Sequence, residues 1–266
     1  MLRDTPKHAL ETTERSLEIL ETIERLEGAT VTELATECSL APSTVYKHLV
    51  TLRSRGYLNE RDGTYHVGFR FLNLGEHARR RIVGRQLIEE TVRELTAETD
   101  EEVDFTVEDH GRVMTIMESY HKWVKYGDDG GAERYRARIG SYYRMHSTAT
   151  GKAILASYPR ERVEAIVDAW GLPARTERTI TDRGELLEEL GRIAERGYAV
   201  DDREYADGLR SVGVAVNGPD GGVVGAISVS GPSYRLHGEV LRTTIPDAVR
   251  DAVADLQRGL VDARSG

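Results

Sequence analysis

Residues 57–67 read YLNERDGTYHV. No other stretch limits the fold of this chain so tightly. Asp62-Gly63 lies between two runs of strand-forming residues, and Asp-Gly is the strongest short-range signal for a two-residue hairpin, since both turn positions need positive φ. Whatever comes before must pack against a two-stranded flap, and what comes before is helical.

A first helix is predicted over 13–26. Ile19, Ile23 and Leu26 recur at i, i+4, i+7, with Leu17 and Leu20 beside them, and Gly28 ends the pattern. Thr30 and Glu33 form a capping box, each side chain reaching the other's backbone N–H. A short second helix follows, its inner face made by Val31, Leu34, Ala35 and Cys38. Pro42 suits the first position of a third helix, whose Val45, Leu49 and Leu52 point inward and whose end is capped by Gly56.

Three short helices and a hairpin make a winged helix-turn-helix. A helix of about 10–12 Å diameter fits a major groove about 12 Å wide. Pro42, Ser43, Thr44, Tyr46 and Lys47, at the amino end of the third helix, are the candidates for contact with double-stranded DNA. Arg53, Arg55 and Arg61 are candidates for phosphate contact from the helix end and the wing. Tri-helical units also serve in protein contacts, but the charge distribution favours DNA. Residues 1–40 carry a net charge of −5 and residues 41–85 a net +6, on a chain of −9 overall. Such blocks give an acidic molecule one anion-facing surface.

Residues 69–85, with Arg79-Arg80-Arg81, read as a linker helix; the arginines either touch DNA or are a solvated face. A helix over 86–98 opens a second domain. Residues 102–108 and 112–118 alternate apolar with polar and form a hairpin through Asp109-His110-Gly111. Residues 127–133 read as a loop, 149–157 and 160–170 as helices, and Asp182 with Glu185 as a second capping box opening a helix to Arg196. Strands are expected at 198–201, 210–217 and 223–230. A terminal helix is expected over 239–261, with Ile245, Val249, Val253, Leu256 and Leu260 on one face. The whole is a two-domain α+β chain: residues 1–68 bind DNA, 69–85 link, and 86–266 form an antiparallel sheet flanked by helices.

Residues 140–155, GSYYRMHSTATGKAIL, contain a Gly-Lys pair at a helix start. A phosphate-binding loop needs a glycine five residues before Gly151 and a hydroxyl after Lys152. His146 and Ala153 stand there instead, so no phosphate cradle and no magnesium ligand are present. Neither His-Glu-x-x-His nor Gly-x-Ser-x-Gly occurs, and adjacent His146 and Ser147 do not make a dyad. The economical reading is a small-molecule pocket without chemistry: no enzyme, no cofactor, no metal.

At 266 residues the chain has length for about two domains. No apolar run approaches the roughly 18 residues of a membrane span, and residues 1–6 carry no apolar leader, so a cytoplasmic protein is expected. Its single cysteine, Cys38, excludes an internal disulfide and a cysteine-rich zinc site. Only five lysines accompany 31 arginines, a balance compatible with a salt-rich cytoplasm or with a GC-rich genome.

Three ordered motifs resemble the isocitrate lyase regulator (IclR) family of transcription factors. The stretch from Ser43 to Leu49, with Leu52 and Gly56-Tyr57, resembles the family's recognition helix; His146 to Ala156 resembles its effector-domain signature. Arg196 to Glu204, Gly208-Leu209 and Ala226 to Pro232 resemble the second part of that signature. The resemblance covers nearly the whole chain. It implies a GAF-like effector domain in which Gly151-Lys152 is a structural helix start. It implies a pocket for a small metabolite, often an organic acid, involving Ala149, Thr150, Asp201, Ser211, Ser228 and Ser230. Each serine alone is equally a plain strand hydroxyl. The resemblance also implies a homodimer or homotetramer on a palindromic operator.

Two positions depart from the family pattern, Arg144 and Ala215 standing where proline is usual. Arg144 either pairs with an anionic effector or is a surface arginine on a strand edge. Two alternatives stand beside the ligand-responsive regulator: an architectural DNA-binding protein whose second domain only oligomerises, and an enzyme using that domain.

Overall fold

The structure, a computed structural model, describes residues 8–120 and 139–265. The loop expected at 127–133 lies outside the described residues. By contacts the chain divides into two units, Met1–Arg81 and Ile82–Gly266.

In the first unit α1 (Glu11–Arg25), α2 (Val31–Glu37) and α3 (Pro42–Ser54) precede β1 (Leu58–Arg61) and β2 (Thr64–Val67). The Thr30 capping box is formed in both directions. Asp62 and Gly63 take φ of 52° and 80°, as a primed turn requires, and Arg61 pairs directly with Thr64. Ile19, Ile23, Leu34, Cys38, Val45, Leu49, Leu58 and Tyr65 make one core. Leu26 is a departure: α1 stops at Arg25, and Leu26 and Leu17 are exposed instead of joining the buried stripe. The region read as one linker helix over 69–85 is also different. Helix α4 covers only Arg70–Arg79, and Gly84, in the left-handed conformation, is the N-cap of α5 (Arg85–Thr99).

The second unit is built on a six-stranded antiparallel sheet in the order β5-β4-β3-β8-β7-β6. Its strands are β3 (Glu102–Asp109), β4 (Arg112–Ser119), β5 (Tyr142–Arg144), β6 (Ala199–Asp202), β7 (Leu209–Asn217) and β8 (Val223–Pro232). Its helices are α5, α6 (Ala149–Ala156), α7 (Arg160–Trp170), α8 (Arg183–Arg196) and α9 (Ile245–Ser265). Strand alternation divides the side chains between two layers. Val103, Phe105, Val212, Val214, Ile227 and Val229 face α5 and α9. The opposite face meets α6 and α8, whose Ile154, Leu155, Leu186 and Leu190 pack with Val113, Ala199 and Ala226.

The terminal helix opens differently from expectation. A π-turn over Val240–Thr244 precedes α9. Pro246 has no N–H to give to the carbonyl four residues back, that of Arg242, so the regular ladder cannot start there. The Tyr198 hydroxyl donates to the Arg242 carbonyl instead, at 3.4 Å.

Candidate DNA-contacting helix and ligand cavity

On α3 the inward positions Val45 and Leu49 are fully buried, which fixes the helix's rotation. His48, also buried, is held to α1 by a 2.7 Å hydrogen bond between its Nδ1 and Ser16 Oγ. Ser43, Tyr46, Lys47 and Val50 are thereby left exposed at i, i+3, i+4, i+7, along one face. Pro42 is exposed at the helix start and Thr44 is half-buried. Val50 completes this face and was not among the sequence candidates, although the same periodicity points to it. The three arginines differ. Arg53 is in an ion pair with Glu60 of β1. Arg55 is exposed, its carbonyl taken by Arg70 at 2.8 Å. Arg61 stands at the wing tip, 3.8 Å from Asp62.

In the second unit the polar candidates meet on one face of the sheet. Ser211 pairs with Asp201 on one side and Ser230 on the other, and Ser230 pairs with Glu102. Two residues along, Ser228 pairs with Gly213 and Asp104. Two further along, Ala226 pairs with Thr106, which pairs with Thr115. These rows are in phase, so their side chains share the face covered by the amino end of α6.

A cavity of about 50 Å³ lies there. At roughly 10–15 Å³ per enclosed water, it has room for about four waters or one compact molecule. Ala149, Thr150, Asp201, Ser211, Ser228 and Ser230 all line it. So do Glu102, Asp104, Thr106 and Thr115, which sequence reasoning missed. Their alternation with Val103 and Phe105 was visible, but a polar strand face reads as solvated until something covers it.

The cover is α6, and two glycines set how close it comes. A Cβ on Gly213 would lie 2.7 Å from the Ala149 carbonyl carbon and 2.9 Å from the Thr150 nitrogen. A Cβ on Gly151 would lie 2.3 Å from the Met145 carbonyl oxygen. Thr148 caps the helix, its hydroxyl accepting from the Gly151 N–H at 3.2 Å. Lys152 is fully buried, donating to the Val200 carbonyl at 2.7 Å and forming an ion pair with Glu204. The Gly-Lys pair therefore holds α6 to β6 and the turn beyond it. Burial raises the Glu204 carboxyl, while Lys152 beside it acts in the opposite direction.

Burial pushes Asp104 up to about 7, against a 2.6 Å hydrogen bond from Ser228 and reinforced by the neighbouring Glu118 charge. Asp201 is also pushed up to about 7, first by burial and then by Glu204. Lys152 and the N–H groups of Glu204 and Tyr205, at 2.7 and 3.2 Å, oppose that rise. Ser230 donates to Ser211 at 2.9 Å.

Arg144 is not part of this cavity. It lies on edge strand β5, its guanidinium 4.6 Å from the Trp170 ring centroid and donating to the Trp170 carbonyl at 2.9 Å. It lines a separate cleft with Trp170 and His146, apart from the cavity that brings the other effector candidates together. Nor do His146 and Ser147 act together. His146 Nε2 is 3.1 Å from the Pro173 carbonyl, burial lowers its pKa, and Ser147 Oγ has no hydrogen-bond partner. Among the described residues no cluster of His, Cys, Asp and Glu is placed to hold a metal, and no helix is long and apolar enough to cross a membrane.

Both units resemble known proteins. Residues 12–62 match the IclR helix-turn-helix domain, and residues 80–258 match the bacterial transcriptional regulator IclR C-terminal domain. The HTH-type transcriptional regulator BhcR of Paracoccus denitrificans is 30% identical over 251 residues, covering 93% of this chain and 86% of BhcR. A protein of Halobacterium salinarum described as a probable HTH-type transcriptional regulator, ArcR, is 30% identical over 239 residues, 89% of each chain. Among solved structures, Thermotoga maritima IclR aligns with a TM-score of 0.75 at 26% identity, over 95% of this chain and all of that one. An IclR homologue from Microbacterium hydrocarbonoxydans complexed with 4-hydroxybenzoate shares the fold, with a TM-score of 0.79 at 20% identity, over 96% and 100%.

Proposed function

The chain belongs to the IclR family of bacterial transcriptional regulators, and we propose that it is a sequence-specific regulator whose operator binding responds to a small metabolite held under α6. The families and relatives it matches are DNA-binding regulators of transcription, not enzymes. The observation that carries the DNA half is the exposed face of α3, with Ser43, Tyr46 and Lys47 standing clear of a helix whose opposite side is fully buried. Base edges are read by Ser43, Tyr46 and Lys47, with Pro42 and Thr44 at the helix start; Arg55 and Arg61 hold phosphates. Arg53 joins them only by giving up Glu60.

The effector half rests on the polar cavity lined by Ala149, Thr150, Asp201, Ser211, Ser228 and Ser230. An organic acid suits the opening N–H groups of α6, which have no acceptor within the helix. The Microbacterium homologue, complexed with 4-hydroxybenzoate, is an example with a carboxylate ligand. A homodimer or homotetramer on a palindromic site, working in the cytoplasm where the chromosome lies, completes the reading.

Genome-wide occupancy of the tagged protein tests it. A few sharp peaks sharing a palindrome, lost in a Tyr46→Ala, Lys47→Ala variant, are expected. Diffuse occupancy in both proteins would favour an architectural role.

A further inference from the structure

The cavity under α6 has two unlike ends. One is the start of the helix, where Ala149 and Thr150 line the space and the first-turn N–H groups lack intrahelical acceptors. The other is acidic. Glu102 and Asp104 of β3 line it together with Asp201 of β6, and all three are buried. Among the described residues no lysine or arginine lines the cavity. Lys152 is committed to Val200 and Glu204. A ligand carrying only negative charge would gain at the helix and be repelled by the strands.

A second observation says that the space expects a polar guest. Thr106 Oγ1 and Thr115 Oγ1 are buried, line the cavity and have no hydrogen-bond partner. Buried hydroxyls without partners are uncommon and call for an occupant. A metal ion is not the natural one, because among the described residues the carboxylates do not converge as ligands. An organic cation is better placed. Tyr143 and Tyr205 also line the cavity, their rings 5.5 Å apart and edge to face, and aromatic walls attract ammonium groups.

Given the effector-binding reading above, on which this rests, we infer that the effector is a compact ammonium carboxylate, an amino acid or a close relative of one. Its carboxylate takes the Ala149 and Thr150 N–H groups at the start of α6, the Gly151 N–H being held by Thr148. Its ammonium lies among Glu102, Asp104 and Asp201, with the free threonine hydroxyls accepting its remaining protons. The acidic wall thereby selects against simple organic acids and the helix start against simple amines.

The test uses the full-length protein and two sets of probes, read by thermal shift and titration calorimetry. One set is the twenty common L-amino acids, with the deaminated acid and the decarboxylated amine of each that binds. The other is acetate, pyruvate, glyoxylate, succinate and 4-hydroxybenzoate. The expected result is that one or more amino acids raise Tm while their acid and amine counterparts bind at least about tenfold more weakly. Asp104→Asn and Glu102→Gln, each checked for folding by circular dichroism, should weaken that binding by at least about tenfold. Binding of an amine-free acid, unchanged or tightened by Asp104→Asn, would overturn the ligand class and leave the effector reading standing. No shift from either set would overturn both.

Discussion

Asp104 and Ser228 face each other across the β3–β8 ladder, joined by a 2.6 Å hydrogen bond from Ser228 Oγ to Asp104 Oδ1, and both side chains are buried. One serine hydroxyl does not replace the hydration of a carboxylate, so the acid is raised to about 7. A raised acid retains its proton in the folded state when the unfolded chain has lost it. Its contribution to stability is therefore undiminished below the ordinary aspartate range and falls as pH rises towards 7, by about 1.4 kcal/mol per pH unit at most. Asp104→Asn removes this loss while keeping an acceptor for Ser228. Its Tm should match the parent near pH 4 and exceed it by a margin that grows from pH 5 to about 7 and then levels off. A pH-independent difference would contradict the assignment.

Lys152 predicts a penalty of another kind. Removing one member of a buried ion pair strands the other, at a cost of about 3–5 kcal/mol. Lys152→Met should be strongly destabilised in urea unfolding, and Lys152→Met combined with Glu204→Leu should recover much of the loss. ATP and inorganic phosphate should leave the Tm of the parent protein unchanged, since the lysine is tied to Val200 and Glu204.

Gly213 marks the closest approach of α6 to the sheet. Gly213→Ala places a methyl against the Ala149–Thr150 peptide, and overpacking of this kind costs about 1–3 kcal/mol. The helix start must shift. The variant should lose ligand-induced thermal stabilisation more completely than its stability loss alone explains, which titration below its own Tm would show.

On α3, Tyr46→Ala and Lys47→Ala leave the core untouched, because both side chains are exposed. Stability should change by less than about 0.5 kcal/mol. Specific binding to the operator should fall, and the fall should persist at molar salt, where screening reaches only about 3 Å and counterion release contributes little. Lys47→Ala should also reduce the salt slope by about one if its contact is to phosphate; an unaltered slope with lost specificity would place it on a base.

Arg53 and Arg61 separate two roles that the sequence could not distinguish. Arg61→Ala at the wing tip should weaken binding to all sequences alike. Arg53→Ala should do less to DNA binding and more to the wing, because it releases Glu60 of β1. Equal losses of affinity with unchanged stability would refute this division.

Local sequence was enough to place most of the elements. Thr30 with Glu33, Pro42, and Asp62-Gly63 are local chemistry: caps and turns act within four residues, and their geometry is as expected. Alternation in β7 and β8 likewise put Ser211, Ser228 and Ser230 on faces that can be counted from the chain alone. Even so, local signals misjudged Leu26, the extent of α4 and the opening of α9, where a helix end, a left-handed glycine and a missing proline N–H intervened. Which polar residues lose their contact with bulk water depends on how the elements pack. Glu102, Asp104 and Thr106 form an ordinary amphipathic strand in sequence, and Lys152 an ordinary helix charge. They become a ligand cavity and a buried ion pair because α6 is laid over the sheet at Gly213, a contact between residues more than sixty positions apart. Arg144 shows the converse. Its place in the chain put it beside the pocket motif, and its strand turned it to Trp170. Burial and direction belong to the packed assembly of elements, and no property of a single segment encodes them.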